Sequence, residues 1–156
     1  MTPSTARRPH GAFGIAPFDT YALITFSGSW NAECVEYFSA MLRKHSGVHA
    51  GRRRSSLVDC RKWNMVTSDG QEALRDLSAF LSETYASLNA AFILEPPRVK
   101  LAAYFLEKGN IAEGTDMTWG YFSDLTEARD WLIGRGYALP AIEWSDFPAA
   151  VEPPVY

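Results

Sequence analysis

The apolar residues of the chain fall into five short stretches that are typical of β-strands. The first two lie at about residues 13–18 and 21–26, and Asp19-Thr20 between them favours a turn, so we expect a hairpin. Pro17 interrupts the first stretch, as is common in edge strands. Three further strands are expected, at residues 57–60, 90–94 and 118–122.

Four other segments have apolar residues three to four positions apart, which is the spacing of one face of an α-helix. Asn31 should cap the first helix, and Gly47 should end it. Ser68, with Gln71 three residues later, is typical of a capping box for the second helix. The second, third and fourth helices are expected at about residues 69–85, 98–108 and 124–132.

The expected order of elements is therefore β-β-α-β-α-β-α-β-α. This alternation predicts an α/β domain with a mostly parallel sheet, an N-terminal β-hairpin and about four helices. We expect residues 1–11 to form a flexible arm, residues 12–138 the folded domain, and residues 139–156 a Pro-rich tail packed by Trp144 and Phe147.

The composition is that of one ordinary globular domain. The chain has 156 residues, of which 47% are hydrophobic. A net charge of −3 argues against a nucleic-acid-binding protein, whose surface is normally basic. No apolar run approaches the roughly 20 residues of a membrane-spanning helix. The amino end also has no apolar segment typical of a secretory signal. We therefore expect a cytoplasmic protein without a transmembrane segment.

The sequence contains no recognisable catalytic or metal-binding motif, so we predict a non-enzymatic protein without metal or cofactor. Cys34 and Cys60 lie in apolar stretches, which favours burial over a disulfide. A nucleophilic Cys60 would need His45 or His49 as its base, and inert burial is the alternative. The run Arg52-Arg53-Arg54 is expected in a solvated loop, and phosphate or nucleic-acid binding is its alternative role.

Three segments resemble the STAS-like superfamily and its SpoIIAA-like group. In residues 26–31 (FSGSWN) a strand ends at glycine before a helix. Residues 57–59 (LVD) precede residues 67–70 (TSDG) across a loop. Residues 120–132 (GYFSDLTEARDWL) are similar to the F-x-D-x-x-E-A-x-x-W-L ending that is common in SpoIIAA-like proteins. The resemblance, which spans about residues 12–135, implies a regulatory or protein-interaction module, with a looser relationship to lipid-binding CRAL-TRIO domains.

The turn before the second helix differs from that of the anti-anti-sigma factors in this superfamily. Their turn reads Asp-Ser-Ser-Gly, and the serine next to the glycine is phosphorylated, whereas here Asp69 precedes Gly70. Asp69 could imitate a permanent phosphate, or Ser68 could accept one instead. The alternative is that Ser68 is a helix cap and Asp69 an ordinary first-turn acid.

The predicted interaction or ligand face lies at the carboxyl ends of the parallel strands, where open α/β sheets bind ligands. Trp63, Asn64 and Met65 are expected in a loop after Asp59, with Trp30 nearby. The predicted face consists of Trp30, Asp59, Trp63, Met65, Ser68 and Asp69.

Two functions are compatible with this face, a protein partner or second copy of the chain, and a small apolar ligand or lipid. A partner surface should leave Trp63 and Met65 exposed on a convex patch. A pocket should give a cavity of roughly 300 Å³ or more lined by them. Aromatic packing that merely covers the edge of the sheet is the alternative to both.

Overall fold

Five strands form one sheet in the computed structural model, which describes residues 8–100 and 117–154. In spatial order, which is also chain order, they are β1 (Ala12–Pro17), β2 (Tyr21–Trp30), β3 (Arg53–Val66), β4 (Ser87–Ile93) and β5 (Met117–Phe122). β3 lies in the centre of the sheet and runs parallel to β4, as the sequence predicts.

The sheet is mixed, which corrects the expectation of a mostly parallel one. β2, β3, β4 and β5 are parallel to their neighbours, whereas β1 pairs antiparallel with β2 along one edge. The reason is the short connection at residues 18–20, which can join only antiparallel neighbours. The expected hairpin is confirmed.

The described residues contain three α-helices rather than about four: α1 (Ala32–Ser46), α2 (Ser68–Thr84) and α3 (Leu125–Gly134). The helix expected at residues 98–108 lies largely outside the described residues, and the prolines before it form a 3-10 turn, Pro96–Arg98. Within the described ranges, every helix is too short or too polar to cross a membrane.

The core has two layers, one on each side of the sheet. α1 and α2 cover one side, here called the α1–α2 face, and α3 with the C-terminal segment covers the other, the α3 face. Successive strand residues point to opposite faces, so Val58 packs under α1 and α2 while Leu57 packs under α3. Both faces of β4 are buried, which fits its mainly apolar sequence, and its two polar residues, Ser87 and Asn89, hydrogen-bond to the Tyr137 hydroxyl.

β3 is much longer than the expected residues 57–60. Its pairing with β2 contains two irregularities at which β3 has one extra residue, between Thr25 and Ser27 of β2 and between Gly28 and Ser29. These β-bulges allow β3 to continue to Val66, beyond the point where β4 ends opposite Asp59. Trp63, Asn64 and Met65 are therefore strand residues, and their expected position in a loop is wrong.

Side-chain caps fix the starts of the helices. The carboxamide oxygen of Asn31 accepts from the backbone N–H of Cys34 at 3.1 Å, which confirms Asn31 as the cap of α1. Asp124 caps α3 in the same way. For α2 the cap is Thr67, whose hydroxyl oxygen accepts from Gly70 N–H, so the expected cap at Ser68 is displaced by one residue.

Candidate functional site

Trp30 and Trp63, two residues of the predicted face, pack together in the core. Their rings are 5.8 Å apart, and both contact the ring of Phe26. Trp30 is 1% and Trp63 5% exposed, so neither ring stands on a surface. With Phe38 they form an aromatic cluster that fills the carboxyl end of the α1–α2 face.

The first bulge of β3 decides which face Trp63 joins. Val58 and Cys60 lie on the α1–α2 face, and strict alternation would send residue 63 to the opposite face. The extra residue between Asp59 and Lys62 in the pairing with β2 reverses this alternation. Trp63 consequently shares a face with Val58 and not with Asp59.

Asp59 lies on the α3 face, separated from the tryptophans by the sheet. Its carboxylate accepts two hydrogen bonds from the Arg61 guanidinium, at 3.0 and 3.1 Å, and this contact raises the pKa of Arg61. Arg61 also stacks on Trp144 of the C-terminal segment at 3.4 Å. These residues line a groove of about 320 Å³ beside the carboxyl halves of β2 and β3, in which the charge of Asp59 is already neutralised.

Met65 is 65% exposed near the end of β3. Beyond Asp59, β3 has no neighbouring strand on the side of β4. There the guanidinium of Arg98 donates to the backbone carbonyls of Trp63 and Asn64 in place of a strand. Met65 is therefore held on an ordered strand, apart from the buried ring of Trp63.

Ser68 and Asp69 lie at the first turn of α2. Ser68 is exposed, while the Asp69 carboxylate accepts from the Thr67 hydroxyl and, at 2.9 Å, from Gly70 N–H. A carboxylate is favoured there because helix N-terminal N–H groups attract negative charge. The Asp69 carboxylate thus places a negative charge at the start of α2, and phosphorylation of Ser68 stays one of the alternatives that the sequence leaves open.

An apolar cavity lies between the sheet and the helix pair α1 and α2. Its volume is about 100 Å³, and its walls include Val58, Ala90 and Phe92 from the sheet with Leu77 and Leu81 from α2. Trp63 borders it, but Met65, Trp30 and Asp59 do not. The cavity extends along the α1–α2 face towards the amino ends of the strands, because the aromatic cluster fills the carboxyl end.

Several polar atoms around this cavity have no hydrogen-bond partner. Within the described part of the chain, the indole N–H groups of Trp63 and Trp119 and the Nδ1 atom of His49 are buried without a partner. All three side chains line the cavity. A buried polar atom without a partner costs about 1–3 kcal/mol, so such atoms around a cavity indicate a place for a polar ligand atom or water.

The arginine run does not form a solvated loop. Arg52 is exposed and pairs with Asp19 at 3.2 Å, but Arg53 and Arg54 are strand residues on opposite faces of β3. Arg54 is 5% exposed and lines the amino end of the cavity, where it donates to the carbonyls of Phe18, Asp19 and Tyr21. The expected loop is wrong because β3 begins at Arg53.

A solved structure with a similar arrangement is an uncharacterized protein from the DUF3478 family of Shewanella loihica PV-4, described as having a SpoIIAA-like fold. It superimposes with a TM-score of 0.57 over 81% of this chain and 97% of its own, at 17% identity. The present chain has a SpoIIAA-like fold. No family model matches the sequence, and no curated protein has significant similarity to it.

The SpoIIAA-like fold explains Gly70 without any reference to phosphorylation. A side chain at this position would place Cβ 2.7 Å from Cγ1 of Val66 and 3.1 Å from the Thr67 hydroxyl. Glycine is needed because α2 starts directly against the end of β3. This constraint applies whether or not the neighbouring residue accepts a phosphate.

The cysteines of this SpoIIAA-like chain are buried thiols. Burial raises the pKa of Cys34 to about 12. Burial raises the pKa of Cys60 well above its usual value, and the charge of Asp59 adds to this increase. The positive charge of Arg98 acts in the opposite direction. No histidine hydrogen-bonds to Cys60 among the described residues, so the geometry does not support a thiolate nucleophile. The same ranges hold no cluster of three metal-ligating side chains.

Sequence reasoning missed the cavity residues of the SpoIIAA-like sheet, in particular Trp119, Arg54 and His49. Trp119 is a tryptophan in an expected strand, which is a usable signal for a sheet face. Arg54 and His49 gave no such signal, because both lie in a polar stretch typical of a surface loop. Arg54 becomes a cavity residue because β3 begins at Arg53, and His49 because the 3-10 turn Gly47–His49 after α1 lies beside the cavity.

Proposed function

We propose that the protein binds a small, largely apolar molecule in the cavity between the sheet and the helices α1 and α2. The observation that carries the proposal is the pair of buried indole N–H groups, on Trp63 and Trp119, that lack an acceptor among the described residues beside a largely apolar space. A ligand with an acceptor atom would satisfy them and cover apolar walls at the same time.

The size of the space limits the ligand. An engineered protein cavity of roughly 150 Å³ is enough to bind benzene. The cavity here, at about 100 Å³, is smaller than that, and it also falls short of the roughly 300 Å³ expected from the sequence. It suits a short aliphatic chain and is too small for a membrane lipid with two acyl chains. This size supports a small-molecule site in preference to the lipid carriage of CRAL-TRIO relatives.

The proposal is tested by thermal unfolding in the presence of a neutral probe, 1-hexanol. A ligand at about ten times its Kd stabilises the folded state by about 1.4 kcal/mol, which should raise Tm by roughly 3–6 °C. Native mass spectrometry of the purified protein adds a direct search for a retained small molecule.

A matched pair of variants locates the binding. Ala90 lines the cavity, so Ala90→Leu should fill it and abolish the Tm shift. Ala40 is exposed on α1, so Ala40→Leu adds the same atoms outside the cavity and should preserve the shift. Equal shifts in both variants, or no shift in the wild type with any small apolar probe, would refute the proposal. The wild-type result stands even if Ala90→Leu does not fold.

We also propose, as a second candidate, a regulatory protein-interaction module acting in the cytoplasm, as the SpoIIAA-like fold suggests. The supporting observation is Met65, which is 65% exposed near the end of β3. Sedimentation of the wild type and Met65→Ser over a concentration series tests the simplest form, a homodimer. A wild-type monomer at every concentration would exclude that form.

A further inference from the structure

We infer that the molecule held in this cavity is a small monocarboxylic acid, with its carboxylate at Arg54 and His49 and its apolar body along the wall formed by Val58, Ala90 and Phe92. The inference rests on the proposed function and specifies the chemical class of the ligand.

The polar side chains of the cavity are concentrated at one end. His45 lies in the last turn of α1, His49 in the 3-10 turn Gly47–His49 that follows it, and Arg54 at the start of β3. On β3, Arg54 and Val58 are four residues apart on the same face, or about 13 Å along the strand. A molecule along the cavity would therefore meet a basic end and an apolar body.

The charges at this end are of one sign. Among residues 8–100 and 117–154, no aspartate or glutamate lines the cavity. Two acidic groups influence Arg54. The first is Tyr85, which lines the cavity and is neutral at pH 7 because burial raises its pKa further above 10. The second is Asp19, which also acts on His49, and whose carboxylate is 84% exposed and pairs with Arg52. Arg54 thus has no carboxylate partner among the described residues. A buried charge is normally paired, so this site lacks an anion.

Hydrogen-bond capacity is still available for that anion. A guanidinium has five N–H groups, and the three carbonyl contacts of Arg54 leave two of them. The Nδ1 atom of His49 is buried without a partner and can accept or donate according to its protonation. Together these groups can hold the two oxygens of one carboxylate.

The charge balance favours a carboxylate over a phosphate monoester. Arg54 is the single permanent cation that the described residues contribute to the cavity wall. Burial and the charges of Arg54 and Arg52 lower the pKa of His49, so His49 is mainly neutral before an anion arrives. One positive charge matches a monoanion, whereas a phosphate monoester carries about −1.5 to −2 at neutral pH.

The test compares two ligands that differ only in charge, hexanoate and hexanamide, by titration calorimetry on the wild type at pH 7. Charge-assisted hydrogen bonds are roughly twice as strong as neutral ones, so hexanoate should bind about tenfold more tightly. His49→Gln and, separately, Arg54→Lys should reduce this ratio, because each removes a donor or changes its geometry. His10→Gln is the matched control. Because His10 lies outside the cavity, the ratio of hexanoate to hexanamide affinity should be the same in this variant as in the wild type.

The outcomes separate this inference from the proposed function. Equal binding of hexanoate and hexanamide would overturn the carboxylate assignment and leave the proposed function standing. Binding of neither would contradict the proposed function itself. A preference for hexanoate that persists unchanged in both His49→Gln and Arg54→Lys would place the carboxylate elsewhere and also overturn the inference. The wild-type ratio decides the matter if either variant does not fold.

Discussion

At the scale of single residues, the chain combines dense packing with polar atoms that have no partner. Trp63 has a buried ring in contact with Phe26 and Trp30, yet its indole N–H has no acceptor in the described part of the chain. Replacing the ring would lose the packing of a large aromatic side chain, so Trp63 contributes to stability whether or not a ligand binds. The unpaired N–H is the part of Trp63 that packing alone does not explain.

Gly70 provides a prediction at this scale. In Gly70→Ala the new Cβ would lie 2.7 Å from Val66, so β3 and α2 must move apart, and we expect a loss of about 1–3 kcal/mol in the free energy of unfolding. Gly47→Ala is the control, because Gly47 has φ −59° and no atom within 4 Å of the new Cβ. It should be neutral or stabilising by about 0.4–1 kcal/mol. Urea unfolding measures both, and equal effects would contradict the crowding at Gly70.

At the scale of elements, β3 organises the site. Its length depends on two bulges and on Arg98, which donates to the carbonyls of Trp63 and Asn64 beyond the end of β4. Because a bulge reverses the alternation of side chains, β3 contributes Asp59 to one face of the sheet and Trp63 to the other. A strand without bulges would place Trp63 under the C-terminal segment.

The start of α1 carries a second prediction. Asn31 caps the helix through Cys34 N–H and also ties down the preceding segment, since it accepts from His10 N–H at 3.0 Å and donates to the carbonyl of Arg8 at 2.7 Å. Asn31→Ala should reduce the free energy of unfolding by at least about 1 kcal/mol. Asn31→Asp keeps the acceptor but loses the donor to Arg8, so it should be less damaging. Equal losses in both variants would show that the cap itself contributes little.

At the scale of the whole molecule, the two faces of the sheet have separate roles. The α1–α2 face contains the apolar cavity, and the α3 face is covered by α3 and by a C-terminal segment that pairs Val151 with Phe13 at the edge strand. The predicted face is divided between these two sides, because Asp59 points away from Trp30 and Trp63. A single ligand therefore cannot contact all six of its residues.

Global stability should depend on pH through His49. Burial, Arg54 and Arg52 lower its pKa in the folded state, with Asp19 opposing, so the unfolded chain binds the proton more tightly. The stability that this group contributes is present above its unfolded pKa of about 6.5 and is lost as pH falls through the lower folded pKa. His49→Gln should lose less unfolding free energy than the wild type between pH 7 and pH 5, and His10→Gln should follow the wild type. Parallel pH curves for all three proteins would contradict this expectation.

The sequence by itself determined the order of the described elements, the hairpin and the cap at Asn31, because these depend on residues close together in the chain. The spacing of apolar residues and the presence of capping residues are local properties, so they can be recognised without knowing which elements pack against one another.

Only the tertiary structure decided how far β3 extends, which face Trp63 joins, and that Arg54 and His49 border a cavity. Bulges arise from the pairing of one strand with another, so the residues of β3 alone do not show them. Likewise, a cavity is the space left between elements whose packing is fixed by long-range contacts. The candidate site therefore depends on interactions between distant parts of the chain, whereas the elements that form it depend on local sequence.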